Sequence, residues 1–324
     1  MAACTRRGVL VCLFFFLFGP SPATGQEVFP NRSLQIVVAF PPGGTSDITA
    51  RILNNKLGEL LGQPVVVVNK PGGGGAAGIQ SVFTAKPDGY TILTAPVSIV
   101  TIPLLTPGAA FTLRDFVPLN IAVSIPNIIS VHQNSPFKDL ESLIDYARKN
   151  PGKLNYSSAG PGSSFHLAGE LFKLETKADI THVPMGGEAP ALAGLLGGHV
   201  DLSFVSLGTV AKHQKAGTLR ALAVMYRQRL KDLSGIPTTK ERNYPGIISA
   251  AWHGYFVHAK TPKSIANKLA SALEKALEEK EIVGLIEKAG MLVENLSGQE
   301  AAHFLRDEEA KWSRVIKAAN IPAK

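Results

Sequence analysis

Two segments of this chain share one device: an apolar, β-rich run stops in a loop of glycine and proline, and the loop opens into apolar residues at helical spacing. In the first, Leu34 to Phe40 runs into Pro41-Pro42-Gly43-Gly44, after which Ile48, Ile52, Leu53, Leu57, Leu60 and Leu61 recur. In the second, Leu154 to Ser158 leads through Ala159-Gly160-Pro161-Gly162 to Ser163-Ser164 and a helix carrying Leu167, Leu171 and Phe172. Such strand, loop, helix units bury their apolar faces only in a layered α/β fold, which excludes an all-helical or all-β chain.

The remaining periodicity extends that frame. Val65 to Val68 lacks polar alternation, as expected of a strand covered on both faces in a parallel sheet. Thr45 or Ser46 is expected to cap the first helix, with Asp47 in its first turn and Gly62 at its end. A helix through Val82 and Phe83 and a strand at Tyr90 to Thr94 complete a βαβαβ unit. A second region is expected from Asn127 to Val131 onward, with a helix over Asp139 to Lys149 and strands at His182-Val183, Leu202 to Val205 and Leu219 to Val224. An aromatic strand, Trp252 to Val257, precedes a charge-laced helical tail over Ser264 to Lys280 and Gly298 to Ala319. At roughly 100 to 200 residues per domain, 324 residues suggest two.

Residues 1–25 combine a basic start (Arg6, Arg7), an apolar run from Val9 to Phe18 and a small-residue exit with Ala23 and Gly25 at the −3 and −1 positions, the anatomy of a cleaved signal peptide. The run is too short to span a bilayer. Cys4 and Cys12 both lie within residues 1–25, so a mature chain beginning at Gln26 has no cysteine for disulfides or metal. The formal charge of +8 contains no dense Lys/Arg block of the kind that grips nucleic acid, and favours small anions instead.

Both loops have the chemistry of an anion cup. Amides at a helix N-terminus have no intrahelical acceptor and carry roughly half a positive charge, and glycine lets a ligand approach the backbone. Candidate ligand-binding residues are Phe40, Pro42, Gly43, Gly44, Thr45, Ser46 and Asp47 from the first loop and Ser158, Ala159, Gly160, Ser163 and Ser164 from the second, with Ser206 after another strand. In the third loop, Pro184 to Glu188, the glutamate reads as a helix-start carboxylate and a poor neighbour for an acid. Gly73, Gly75 and Gly78 satisfy a dinucleotide pattern, which leaves a nicotinamide-dependent oxidoreductase as a weak alternative. Four consecutive glycines meet such patterns easily, and Asp88 sits in a turn. His166, the one histidine near a candidate loop, is expected to pack in its helix's first turn. HExxH, GxSxG and GxxxxGK[ST] are absent, so no catalytic residue, metal or cofactor is called for.

Phe40-Pro41-Pro42-Gly43-Gly44 with Asp47, Leu61-Gly62-Gln63-Pro64-Val65, Asn69-Lys70-Pro71-Gly72, Pro87-Asp88-Gly89-Tyr90, Ser158-Ala159-Gly160, His182-Val183-Pro184 and Trp252-x-Gly254 resemble, in order, the receptors of tripartite tricarboxylate transporters, the Bug family. The resemblance implies a two-lobed α/β periplasmic binding protein of type II-like fold, with the ligand cleft between lobes joined by crossing strands. The lobes would be residues 26–124 with 249–324, and residues 125–248. It implies a monomeric receptor that closes on a small organic carboxylate and passes it to membrane permease subunits, or, alternatively, presents it to the sensor kinase of a two-component system. Met185 and Gly186 depart from the aromatic residue and lysine usual there, which removes a cation and a bulky group from the cleft.

Overall fold

A computed structural model of the chain describes Met1 and residues 29–321. The expected signal peptide, residues 1–25, therefore lies outside the described residues apart from Met1. Strand β1 (Leu34–Val38) delivers the chain to α1 (Thr45–Leu61), whose Ala50, Leu53, Leu57 and Leu61 form one buried stripe. Gly62 ends the helix at φ 72°, its amide bonding the carbonyl of Gly58, a left-handed closure that glycine adopts without strain. Then come β2 (Val65–Asn69), a 3₁₀ turn at Gly73–Gly75, α2 (Ala76–Phe83), β3 (Thr91–Ala95) and α3 (Ser98–Leu105).

The next strand, β4 (Phe116–His132), is 17 residues long and buried along nearly its whole length. Sequence reading located only its second half. Pro118 and Pro126 look like strand breakers, yet the ladder tolerates them: its register shifts between Pro118 and Asn120, and Pro126 falls where β4 passes from one set of partners to another. Beyond it lie α4 (Leu140–Lys149), β5 (Leu154–Ser158), α5 (Ser164–Thr176), β6 (Ile180–Pro184), α6 (Glu188–Leu196), β7 (Leu202–Ser206), α7 (Leu207–Lys215) and β8 (Leu219–Val224). The chain returns through β9 (Ala250–His258) and ends in α8 (Lys263–Glu278), α9 (Lys280–Lys288), β10 (Leu292–Ser297) and α10 (Gly298–Ala318).

The ten strands of the described residues join in one curled mixed sheet, of order β2-β1-β3-β9-β4-β7-β5-β6, with β10 and β8 also paired to β4. The first part of β4 runs antiparallel to β9 and β10, and its last residues run antiparallel to β7 and β8. Thus β4 belongs to both halves of the sheet. Parallel β1, β2 and β3 flank it on one side, and parallel β5, β6 and β7 on the other. One expectation is overturned here. Strand β2 is the outer strand of its half, with Val66 51% exposed, so its apolar run does not mark a strand covered on both faces.

Candidate functional site

The two halves of the sheet enclose a cavity of about 1340 Å³. The first residues of five helices line it: Thr45 of α1, Ala76 of α2, Ser98 of α3, Ser164 of α5 and Glu188 of α6. In parallel α/β units the helices start where the strands end, so the carboxyl edges of both half-sheets bring their helix N-termini to the same crevice. Each terminus points the positive end of a peptide dipole at the crevice, although upstream carbonyls already take first-turn amides of α2 and α3: Ala76 and Ala77 donate to Gly73 and Gly72, and Ile99 and Val100 to Pro96 and Val97.

At the first cup, the N-cap of α1 is Gly44, and no side chain caps the helix. Thr45 and Ser46, expected as caps, instead hold His253 of β9: Ser46 Oγ lies 2.9 Å from its Nδ1 and Thr45 Oγ1 2.8 Å from its Nε2. Burial pushes the imidazole down to about 4, so it is neutral near pH 7, with one donor and one acceptor nitrogen. Whichever tautomer holds, one hydroxyl donates to the ring while the other accepts from it and keeps its own proton to donate elsewhere. Asp47 faces away from this arrangement. It accepts from the Gly43 amide (2.9 Å), Arg51 Nε (3.0 Å) and Asn69 Nδ2 (2.9 Å). Its burial alone would raise the carboxyl, but these bonds and the Arg51 charge outweigh that and hold it at about 2.

The second cup has the same logic. Ser163 is the N-cap of α5, its Oγ accepting from the His166 amide at 3.3 Å. The Gly162 amide donates to His166 Nδ1 (3.0 Å) and the Gly160 amide to Ser158 Oγ (3.0 Å), which in turn lies 2.6 Å from His182 Nε2. His166 and His182 stack with centroids 4.1 Å apart, and burial lowers the pKa of His182. From β4, Asn127 Nδ2 donates to Ser164 Oγ and Ser249 Oγ, both at 2.9 Å, tying the helix start to the crossing strands. Ser164 accepts that bond and retains its own hydroxyl proton.

Of the candidates read from sequence, Phe40, Gly44, Thr45, Ser46, Ala159, Gly160, Ser163 and Ser164 line the cavity together. Pro42, Gly43, Asp47, Ser158 and Ser206 do not. The side chains of Asp47, Ser158 and His166 shape the loops instead of facing the cavity, accepting from the amides of Gly43, Gly160 and Gly162. The donors left for a ligand are those first-turn amides of α1 and α5 that no loop or cap group has taken. Ser206 Oγ donates to Glu188 Oε1 at 2.5 Å. His166 packs in the first turn of α5 as expected. His253, which sequence reading missed, reaches the first cup from a strand more than 200 positions away. The glycine pattern has a packing role: a Cβ on Gly78 would come within 2.5 Å of Ala39 Cα, so only glycine lets α2 meet the strand end at backbone distance.

A curled α/β sheet with crossing strands and a ligand-sized crevice between its halves is the architecture of the two-lobed solute-binding proteins. Residues 49–321 match the model of the tripartite tricarboxylate transporter family receptor, and the chain belongs to that family. It is 35% identical over 314 residues to a UPF0065 protein from the tcbD-tcbE intergenic region of Pseudomonas sp. strain P51, covering 96% of this chain and 94% of that one. It is 30% identical to protein BugT of Bordetella pertussis over 99% of both chains. A TctC solute-binding protein from Polaromonas, solved without ligand, superposes with a TM-score of 0.81 at 31% identity, over 90% of this chain and 99% of that one. Two Rhodopseudomonas palustris proteins are similar as well. One, solved with adipate, is 32% identical with a TM-score of 0.76, over 91% of this chain and 99% of that one. The other, MatC with bound malate, is 29% identical with a TM-score of 0.74, over 89% and 100%.

Proposed function

We propose that this protein is a periplasmic, non-enzymatic receptor that captures a small organic carboxylate between two lobes and delivers it to a tripartite tricarboxylate-type permease. The observation that carries the reading is the convergence of five helix starts on one cavity whose lining, among the described residues, holds neither lysine nor arginine. Open amides and dipole ends facing one another are stabilised by an anion placed between them. Relatives solved with adipate and malate support a carboxylate as that anion.

Residues 26–124 with 249–324 form one lobe in this reading and residues 125–248 the other, with β4 and the return into β9 as the hinge. A ligand touching both cups favours the closed arrangement, so capture proceeds by population shift. Calorimetric titration of the purified mature protein with a panel of organic acids, neutral sugars and peptides tests it. Binding confined to acids is expected; binding of sugars or peptides without any acid would overturn it. Delivery is tested by uptake of the bound acid in cells carrying the permease with and without this receptor.

A further inference from the structure

Resting on the carboxylate reading above, we propose that the acid suited to this cleft is a monocarboxylate with an extended apolar body, and that Glu188 rejects diacids. Among the described residues, Glu188 is the one formally charged side chain lining the cavity. Its Oε1 accepts from Ser206 Oγ (2.5 Å) and Thr209 Oγ1 (3.1 Å), and among the described residues no lysine or arginine pairs with it. The carboxylate is thereby fixed at the start of α6 with its charge unneutralised. A ligand held at the amide cups and carrying a second carboxylate towards α6 meets a like charge there, and no lysine or arginine among the described lining residues offsets the repulsion.

The rest of the wall favours hydrocarbon. Val97, Ile102, Leu105, Ala109 and Phe111, from α3 and its flanks, line one side of the cavity. Leu105 Cδ1 lies 3.4 Å from where a Cβ on Gly162 would stand, so this apolar wall abuts the second loop just before Ser163 and Ser164. A chain leaving a carboxylate at the cups therefore runs onto aliphatic surface. The volume of about 1340 Å³ exceeds the roughly 300 to 1,000 Å³ usual for small-molecule sites, so a short polar acid would leave much of it to water.

Titration calorimetry with butanoate, hexanoate and octanoate against succinate, adipate and suberate tests the proposal. Expected are a gain of roughly fourfold in affinity per buried methylene along the monoacids and a preference of about tenfold or more over the diacid of equal length. Glu188→Gln is expected to narrow that preference, and Ile102→Asn to flatten the chain-length dependence, with melting temperatures confirming that both variants fold. Diacids binding as tightly as monoacids, or no dependence on chain length, would overturn the proposal while leaving a carboxylate receptor intact. Failure of both series to bind would remove the carboxylate reading and this inference with it.

Discussion

His253 couples folding to the site. Its imidazole is 3% exposed, with both nitrogens engaged by the hydroxyls of the first cup. Burial holds it at about 4 against an ordinary 6.5, so the unfolded chain takes up a proton there that the folded chain refuses. The stability this contributes is complete above about pH 6.5 and is lost as pH falls towards 4. From pH 7 to 5 the loss amounts to about 2 kcal/mol. Urea unfolding of His253→Gln should show that decline reduced by the same amount; an unchanged decline would place the acid sensitivity elsewhere. Asp47 does not share the window, because its contribution is present above 3.8 and falls away only towards 2. The sequence marked Asp47 by its place after the glycines but not His253, since nothing in Trp252-His253-Gly254 says that the strand faces Thr45.

At the scale of elements, α1 and α5 were legible because a 3.6-residue apolar period and a glycine before it are local signals. Their use of those glycines was less so. Gly44 has ordinary extended backbone angles, φ −77° and ψ 167°, and a Cβ there would meet nothing closer than the Pro41 carbonyl oxygen at 3.7 Å. Gly44→Val should consequently fold with a change of about 0.5 kcal/mol or less, while its branched side chain obstructs approach to the α1 amides and weakens acid binding by about tenfold or more. Wild-type affinity in this variant would make the first loop structural only. The apolar run of β2 misled for a different reason: four valines satisfy an outer strand as well as an inner one, and only pairing decides which.

Taken as a whole, the molecule joins its halves through more than the crossing strands. Helix α10 packs Leu305, Trp312 and Val315 into a core that also holds Leu167 and Leu171 of α5, and Arg314 pairs with Glu175 at 2.8 Å. Buried Glu308 accepts from the indoles of Trp252 and Trp312, both at 2.8 Å, and pairs with Lys311. A bound acid should lower the radius of gyration in small-angle scattering and, at a hundred times its Kd, add about 2.7 kcal/mol to stability. Stabilisation without compaction would indicate a cleft already shut before the ligand arrives.

Strand and helix periods, the glycine punctuation and the colinear family motifs are properties of neighbouring residues, so the chain by itself determined an α/β fold, most of its elements and two of the five helix starts that line the crevice, while α3, β10 and the first part of β4 gave no such signal. Pairings across more than 100 positions carry no local signal. They arise when β4 and β9 cross between the halves, and only that tertiary arrangement decided which strand lies outermost and that His253 and Glu188 border the same cavity. Side-chain chemistry is written in sequence, but which groups share a low-dielectric space follows from how the sheet curls.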